Sequence, residues 1–476
     1  MAIDSSSLKR IHFVGMKGVA MTALAIYCKE KGFAVTGSDI DEDFPTKESL
    51  DKAGITPLLG FFADHLLASE KPDLVIYTGA HNGRDNIEVQ TARELGIETM
   101  PHGRALGYFM DGSTQISVAG SHGKTTTTAM IATILSSSGQ DPSYAVGCGP
   151  IIGLSSSGHY GKGQAFVAEA DEYITDPGHD QTPRFLWQHP NILVVTNIDY
   201  DHPDAYPSLT AVQQAFMALF HQQQGLKTTL VNADDPESTV LLKKSDHEII
   251  TYGLSKKADV HPSHIRFEEG KTVFDLTLKD IPVGSFELMV AGVHNVKNAC
   301  AAIGACVSLG LSWEDIRKGL ATFGGTKRRF EHIGSVGTIK VYDDYAHHPH
   351  EIEATLKGAR EWFPKRRIIT IFQPHTFSRT KALLPEFAKC FADSDIVCIP
   401  DIYASAREHE NLGMHSTVLV EAIKKNKQDI FYTKDEKETL HFLKSHTQEG
   451  DIILTMGAGD IYWWGKHIIE QLTINN

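Results

Sequence analysis

Apolar residues recur along the chain in short unbroken runs, and many runs are followed by a stretch with helical spacing. Residues 11–15, 74–78, 115–119, 165–168, 192–196, 338–342, 368–372, 396–399 and 452–455 read as strands. Most of these runs do not alternate with polar residues, which is the pattern of parallel strands covered on both faces. Residues 19–31, 124–137, 350–362 and 377–392 read as helices. The pattern predicts an α/β fold throughout. Residues 228–290 are rich in β-formers and predict extra antiparallel strands mid-chain.

Two linkers punctuate the pattern, Met110-Asp111-Gly112-Ser113 and Phe323-Gly324-Gly325-Thr326. The expected domains are therefore 1–112, 113–323 and 324–476, each of single-domain size. The first and last are expected to be Rossmann-like. The middle one is expected to carry a phosphate loop on a parallel sheet with the extra strands beside it.

Composition narrows the function classes. The 476 residues hold 45 Lys+Arg against 59 Asp+Glu, a net charge of −14. That excess argues against a nucleic-acid or membrane-surface binder, while a local basic patch for a small anion remains open. No apolar run approaches the roughly 18 residues of a membrane span. Met1-Ala2-Ile3-Asp4-Ser5 lacks a basic segment ahead of an apolar one, so no signal peptide is expected. The six cysteines form no C-x-x-C pair and read as buried thiols. A soluble cytoplasmic protein is expected.

Gly120-Ser121-His122-Gly123-Lys124-Thr125-Thr126 follows the expected strand 115–119 and opens a helix. A phosphate loop needs this context. Backbone N–H groups and the helix N-terminus face the anion, Lys124 neutralises charge and the Thr125 hydroxyl suits Mg²⁺. Val118 stands where the longer motif has a glycine, so the loop is a shortened variant. Asn426-Lys427-Gln428-Asp429 has the form of a guanine-reading motif, but it lies in a lysine-rich loop after a helix. Adenine is the expected base.

Gly15-Met16-Lys17-Gly18-Val19-Ala20 makes a second strand–turn–helix passage, with Ser38 and Asp39 ending the next strand. The spacing is G-x-x-G-x-A and not the dinucleotide G-x-G-x-x-G. A nucleotide pyrophosphate on the helix N-terminus is one reading, and close strand–helix packing is the other. A nicotinamide-dependent oxidoreductase is the distant alternative, and it leaves the phosphate loop unexplained.

Glu169-Ala170-Asp171-Glu172 and Asn197-Ile198-Asp199-Tyr200-Asp201-His202 end two further strands, where open α/β sheets hold ligands. Glu169 and His202 are candidate metal-side groups. Solvated acidic loops are the plainer reading. Arg329 is a natural clamp for a terminal phosphate. In Asp343-Asp344-Tyr345-Ala346-His347-His348-Pro349, two histidines beside two aspartates suit a metal site. A polar loop ahead of a helix is the other reading.

Together with Gly292-x-His294-Asn295-x-x-Asn298 and Arg329-Phe330-Glu331, these motifs resemble the Mur ligases over nearly the whole chain. Those are the ATP-dependent amide-forming enzymes of peptidoglycan precursor synthesis. Phe372-Gln373-Pro374-His375-Thr376-Phe377-Ser378-Arg379-Thr380, Ile402-Tyr403-Ala404-Ser405-Ala406-Arg407-Glu408 and Gly457-Ala458-Gly459-Asp460-Ile461 are similar to the alanine-adding branch. No lysine occurs in 203–219, where sister branches carry a carbamylated one. Ala20 replaces a usual glycine, and segment 174–184 is longer than that branch leads one to expect. Its length is closer to a branch that attaches a tripeptide.

The resemblance implies an ATP-dependent ligase with Mg²⁺ that joins L-alanine, or a short peptide, to the lactyl carboxylate of UDP-N-acetylmuramate through an acyl phosphate. It implies a monomer or homodimer acting on small molecules, away from nucleic acid and membrane. Lys124, Glu169, His202 and Arg329 are its catalytic candidates, and Thr125, Glu169 and His202 its metal-side set. Residues 120–126, Asn295, Asn298, Arg329 and Asp344 fall to ATP. Gly15, Met16, Lys17, Gly18, Val19, Ser38 and Asp39 fall to the uridine nucleotide. Tyr345, His348, His375 and Arg379 fall to the amino acid.

Overall fold

The structure is a computed structural model that describes residues 8–42, 44–67, 70–221, 225, 227–243, 247–268, 270–404, 408 and 410–473. The N-terminal pentapeptide and Ser405-Ala406-Arg407 of the motif above lie outside the described residues.

Three sheets carry the molecule. The first runs Leu58–Leu59, Ala34–Asp39, Arg10–Val14, Leu74–Tyr77, Glu98–Pro101, with every pairing parallel. Helices cover both faces, which is why its two central strands, Arg10–Val14 and Leu74–Tyr77, are buried almost throughout. The third runs Glu331–Val336, Ile339–Asp344, Ile452–Met456, Ile368–Phe372, Ile396–Ile399, Ile430–Tyr432. Only its first pairing is antiparallel.

The central sheet holds Thr114–Ala119 between Ile192–Val195 and Ala165–Ala170, all parallel. The β-rich stretch differs from its expected form. Thr228–Asn232 and Glu248–Tyr252 continue the parallel sheet, and only Val260–Glu268, Lys271–Leu278 and Ile281–Leu288 form an antiparallel meander. Residues 228–232 are buried on both faces, as a covered parallel strand requires, whereas 263–268 alternate between half-buried and exposed positions and 281–288 are mostly exposed.

One expected helix is broken. Residues 377–392 fold as Phe377–Ala382 and Leu384–Phe387, with Leu383 out of helical geometry between them. Pro385 has no N–H to bond the Lys381 carbonyl and so cannot continue the first helix, but it fits the first turn of a new one, where no such bond is needed. Within the expected linker 323–326, Gly325–Thr326 pair antiparallel with Ile151–Ile152 of the central region.

The first and central sheets share one core. Ala145, Phe166 and Ala168 pack into the same cluster as Tyr27, Leu24 and Phe109. Gly158 lies so close to the Ala23 carbonyl that any Cβ would collide with it. The C-terminal sheet builds two cores of its own, one on each face.

Candidate active site

The phosphate loop joins strand Thr114–Ala119 to helix Lys124–Ser137. Gly120 has φ +135° and backs onto the Thr196 hydroxyl, so a side chain is excluded on both counts. The strand end 196–199 laces the loop in place. The His122 N–H donates to Asn197 Oδ1 at 2.8 Å, and the Asp199 N–H donates to Ser121 Oγ at 2.8 Å.

Lys124 Nζ donates to the Gly120 carbonyl at 2.5 Å and to Glu172 Oε2 at 2.7 Å. Burial works to lower its pKa, but Glu172, Asp171 and Glu169 overcome that and hold it above the usual lysine value. Beside it, Thr125 Oγ1 donates to Glu169 Oε2 at 3.0 Å, and the Gly147 N–H donates to Glu169 Oε1 at 2.6 Å. Burial pushes the Glu169 carboxyl up, against the pull of Lys124.

His202 does not join Thr125 and Glu169 directly. Its Nε2 lies 3.7 Å from Glu172 Oε1 and 3.7 Å from Asp201 Oδ2. Glu172 Oε1 is buried without a hydrogen-bond partner. Asp171, Glu172 and His202 bring their ligand atoms close enough to share an ion. An orphaned carboxylate oxygen beside other oxygen donors fits Mg²⁺. Asp171 and Glu172 are the members of this group that motif reading passed over, although both lie in the Glu-Ala-Asp-Glu run.

The C-terminal domain supplies the other wall. Arg329 Nη1 sits 3.6 Å from Glu351 Oε1, and its guanidinium lies over the Tyr345 ring at 5.3 Å. Asp344 accepts from the Phe330 and Ala346 N–H groups, and burial pushes its carboxyl up to about 6. Glu351 opens helix Pro349–Trp362 in a capping box with His348. It also reaches His122 Nδ1 at 3.3 Å. Burial favours neutral His122, yet Asp199 and Glu351 raise its pKa to about 10, so it is imidazolium at neutral pH.

Three cavities lie around these groups. One of about 310 Å³ is lined by Val19 and Ala20 of the first domain, Lys124 and Glu169 of the central one, and Arg329 and Tyr345. Arg184, Lys327 and Arg328 also face it, so a basic cleft exists despite the net charge. A second, about 450 Å³, is lined by His122, Gly123, Asn295, Asn298, Asp344 and Glu351. The third, about 1110 Å³, is lined by Tyr173, His202, His375, Arg379 and several residues between 79 and 90 of the first domain.

The residues expected near the amino acid are thereby divided. His375 and Arg379 face the largest cavity, and Arg379 Nε is buried there without a hydrogen-bond partner. Arg379 Nη2 also lies 3.4 Å from Asp201 Oδ1. Tyr345 faces the smallest cavity. His348 instead packs its ring on His122 at 4.8 Å, at the phosphate loop.

At the N-terminal turn, the Gly15 and Met16 N–H groups both donate to the Ser38 carbonyl. The Lys17 N–H donates to Asp39 Oδ2 at 2.6 Å. Ser38 is fully buried and its hydroxyl donates to Glu88, so its side chain shapes the turn from below. Val19 reaches the smallest cavity. Segment 174–184 forms a hairpin, Ile174–Asp176 with Asp180–Pro183, that docks on the first domain. Asp176 Oδ2 accepts from the Arg84 N–H at 3.0 Å, and His179 pairs with Asp85 at 2.7 Å.

Known proteins resemble the chain over its whole length. The Mur ligase family catalytic domain matches residues 10–114, the Mur ligase middle domain 118–306, and the Mur ligase glutamate ligase domain 328–459. A UDP-N-acetylmuramate–L-alanine ligase of Caldanaerobacter subterraneus subsp. tengcongensis is 39% identical over 473 residues, 99% of each chain. One from Acetivibrio thermocellus is 40% identical, covering 98% of this chain and 97% of its own. The crystal structure of a UDP-N-acetylmuramate–alanine ligase from Thermotoga maritima superposes with a TM-score of 0.80 at 29% identity, over 98% of this chain and 100% of that one. A murein peptide ligase from Psychrobacter arcticus shares the fold, with a TM-score of 0.71 at 24% identity over 98% and 99% of the two chains. This chain belongs to the Mur ligase family.

Proposed function

We propose that the chain joins L-alanine to the lactyl carboxylate of UDP-N-acetylmuramate, with ATP cleaved to ADP and phosphate. One observation carries this reading. Lys124, Glu169 and Arg329, brought by two domains, line one basic cleft with the helix N-terminus of the first domain beside it. The full-length likeness to L-alanine ligases supports the acceptor.

The domains divide the substrates: uridine nucleotide on 1–112, ATP on 113–323, amino acid on 324–476. The lactyl carboxylate attacks the γ-phosphorus as the bond to the β-phosphate oxygen breaks, which yields an acyl phosphate and ADP. The alanine amine then attacks the acyl carbon, and phosphate leaves. Lys124 and Arg329 stabilise charge on the transferring group, which supplies most of the catalysis in such reactions. Mg²⁺ would be held by Thr125 and Glu169 with Glu172 and His202 beside them, and it neutralises charge on the phosphate oxygens. Asn295, Asn298 and Asp344 take the adenosine. Arg379 pairs the carboxylate of alanine, and its unpartnered buried Nε supports that role.

The described residues contain no helix long and apolar enough to cross a membrane. All six cysteines are buried free thiols, which supports a reducing compartment such as the cytoplasm. The test is phosphate release with ATP, Mg²⁺ and UDP-N-acetylmuramate, with L-alanine against L-Ala-γ-D-Glu-meso-diaminopimelate. Turnover with L-alanine is expected. Turnover with the tripeptide alone, or with neither, overturns the reading.

A further inference from the structure

His122, Asp199, His348 and His350 stand in no pattern along the sequence. Asp199 and His350 are 151 positions apart. Folding gathers them where the phosphate loop meets the first turn of helix Pro349–Trp362, two from each domain. One ligand atom from each lies within 4.8 Å of the others.

We propose that these four side chains bind a transition-metal ion of the Zn²⁺ type, which staples the phosphate loop to the C-terminal domain. The donor set is three imidazoles and one carboxylate. That set suits Zn²⁺ and its neighbours and not Mg²⁺, which prefers oxygen. The spacing fits as well. Asp199 Oδ2 lies 2.6 Å from His350 Nδ1, 3.1 Å from His122 Nε2 and 4.0 Å from His348 Nδ1, which would trade its long 3.4 Å cap bond from the His350 N–H for the ion. Tetrahedral bonds of about 2.0–2.2 Å set ligand atoms roughly 3.3 Å apart, within that range.

A supporting shell is present. His122 turns its second ring nitrogen to Glu351 Oε1 at 3.3 Å. A metal-bound imidazole commonly gives its other N–H to a carboxylate, which fixes the ring. His350 is 62% exposed, so an ion has a way in. The set shares no residue with Thr125, Glu169 and His202, but His122, Asp199 and His350 line the cavity of Asn295, Asn298 and Asp344, so the ion would sit at the edge of the nucleotide site. It draws on the histidine–aspartate loop 343–349 through His348 alone. Asp343 is taken by Arg328 and Asp344 by backbone N–H groups, so that loop does not close on a metal alone, and His348 reaches the partners across the domain boundary.

The test uses the full chain without nucleotide. Co²⁺, added as a probe, is expected to give the intense visible absorption of a four-coordinate site at one equivalent, and Zn²⁺ to displace it. His350→Ala, at an exposed position, is expected to lose the band. Glu351→Gln is expected to weaken Co²⁺ binding about tenfold. His202→Ala is expected to keep the band. Zn²⁺ should raise the melting temperature of the parent chain and not of His350→Ala. Three results overturn the proposal: only the weak absorption of octahedral Co²⁺, a band that survives His350→Ala, or a Zn²⁺ shift of melting temperature that His350→Ala retains. The experiment involves no turnover, so its failure leaves the ligase reading intact.

Discussion

The central domain meets its two neighbours in opposite ways. Against the first domain it buries a dry, close-packed face, with ion pairs such as His159–Glu30 and His179–Asp85 at its edge. Tyr27 and Phe166 rings stand 5.0 Å apart in a common core, and Gly158 lies against the Ala23 backbone. Against the C-terminal domain it presents mainly charge, beside a close backbone approach of Gly292 to Gly358. His122 meets Glu351, Asp199 meets His350, and Asp201 meets Arg379. Hydrophobic burial is worth roughly 1.5–3 kcal/mol for each large side chain and is lost steeply on separation. Polar pairs exchange protein partners for water or ligand at small net cost. The first two domains are therefore expected to act as one body, and the third, while no metal ion staples it, to close and reopen over the substrates. The same charged groups that make that face separable also make it chemically useful.

The largest test falls on the polar face. Lys124→Ala is expected to lower phosphate release by about 10³-fold, from loss of one buried charge on the transferring group. Near-normal ADP formation in that variant would remove the cleft from the mechanism. On the dry face, Gly158→Val is expected to destabilise by about 2–3 kcal/mol, because its Cβ has no space beside Ala23. Thermal unfolding reads this, and an unchanged transition would deny that the two domains share a core.

Arg379→Lys is expected to raise KM for L-alanine about tenfold with a smaller change in kcat, since an ammonium cannot make the paired contact of a guanidinium. A KM for L-alanine that does not move would free Arg379 from the acceptor.

The smallest effect is graded with pH. In the metal-free chain His122 has its folded pKa raised to about 10, so its contribution to the polar face is full below its unfolded value near 6.5 and fades as pH rises through about 10. For Asp199, burial works upward but His122 and His350 hold the carboxyl well below its usual value. Its contribution is full above about 3.9 and fades as pH falls further. Small-angle scattering is expected to show docking of the C-terminal domain weaken at both ends while the dry face holds. Loosening at neutral pH alone would contradict the assignment.

Much of the architecture is legible in the sequence because local rules suffice for it. The apolar runs at 115–119, 192–196 and 452–455 form central strands, since a parallel strand must be apolar on both faces. The phosphate loop is legible because its glycines, lysine and threonine act within one turn. Less legible is pairing direction in 228–252, where a covered strand looks alike in either sense. Pro385 divides a helix that periodicity alone extends through it. Motif order groups His348 with His375 and Arg379, yet its backbone at a helix start turns it toward His122.

The sequence by itself determined the α/β class, the phosphate loop and the glycine turn, and it placed the cations at 124 and 329. Each depends on neighbours a few positions away, through backbone geometry and side-chain type. Only the tertiary structure decided that Glu172 faces Lys124, that Glu351 reaches from the third domain to His122, and that His348 and His350 meet Asp199. Those contacts join residues tens to hundreds of positions apart. Their energies depend on burial and distance, and neither exists until the domains have packed.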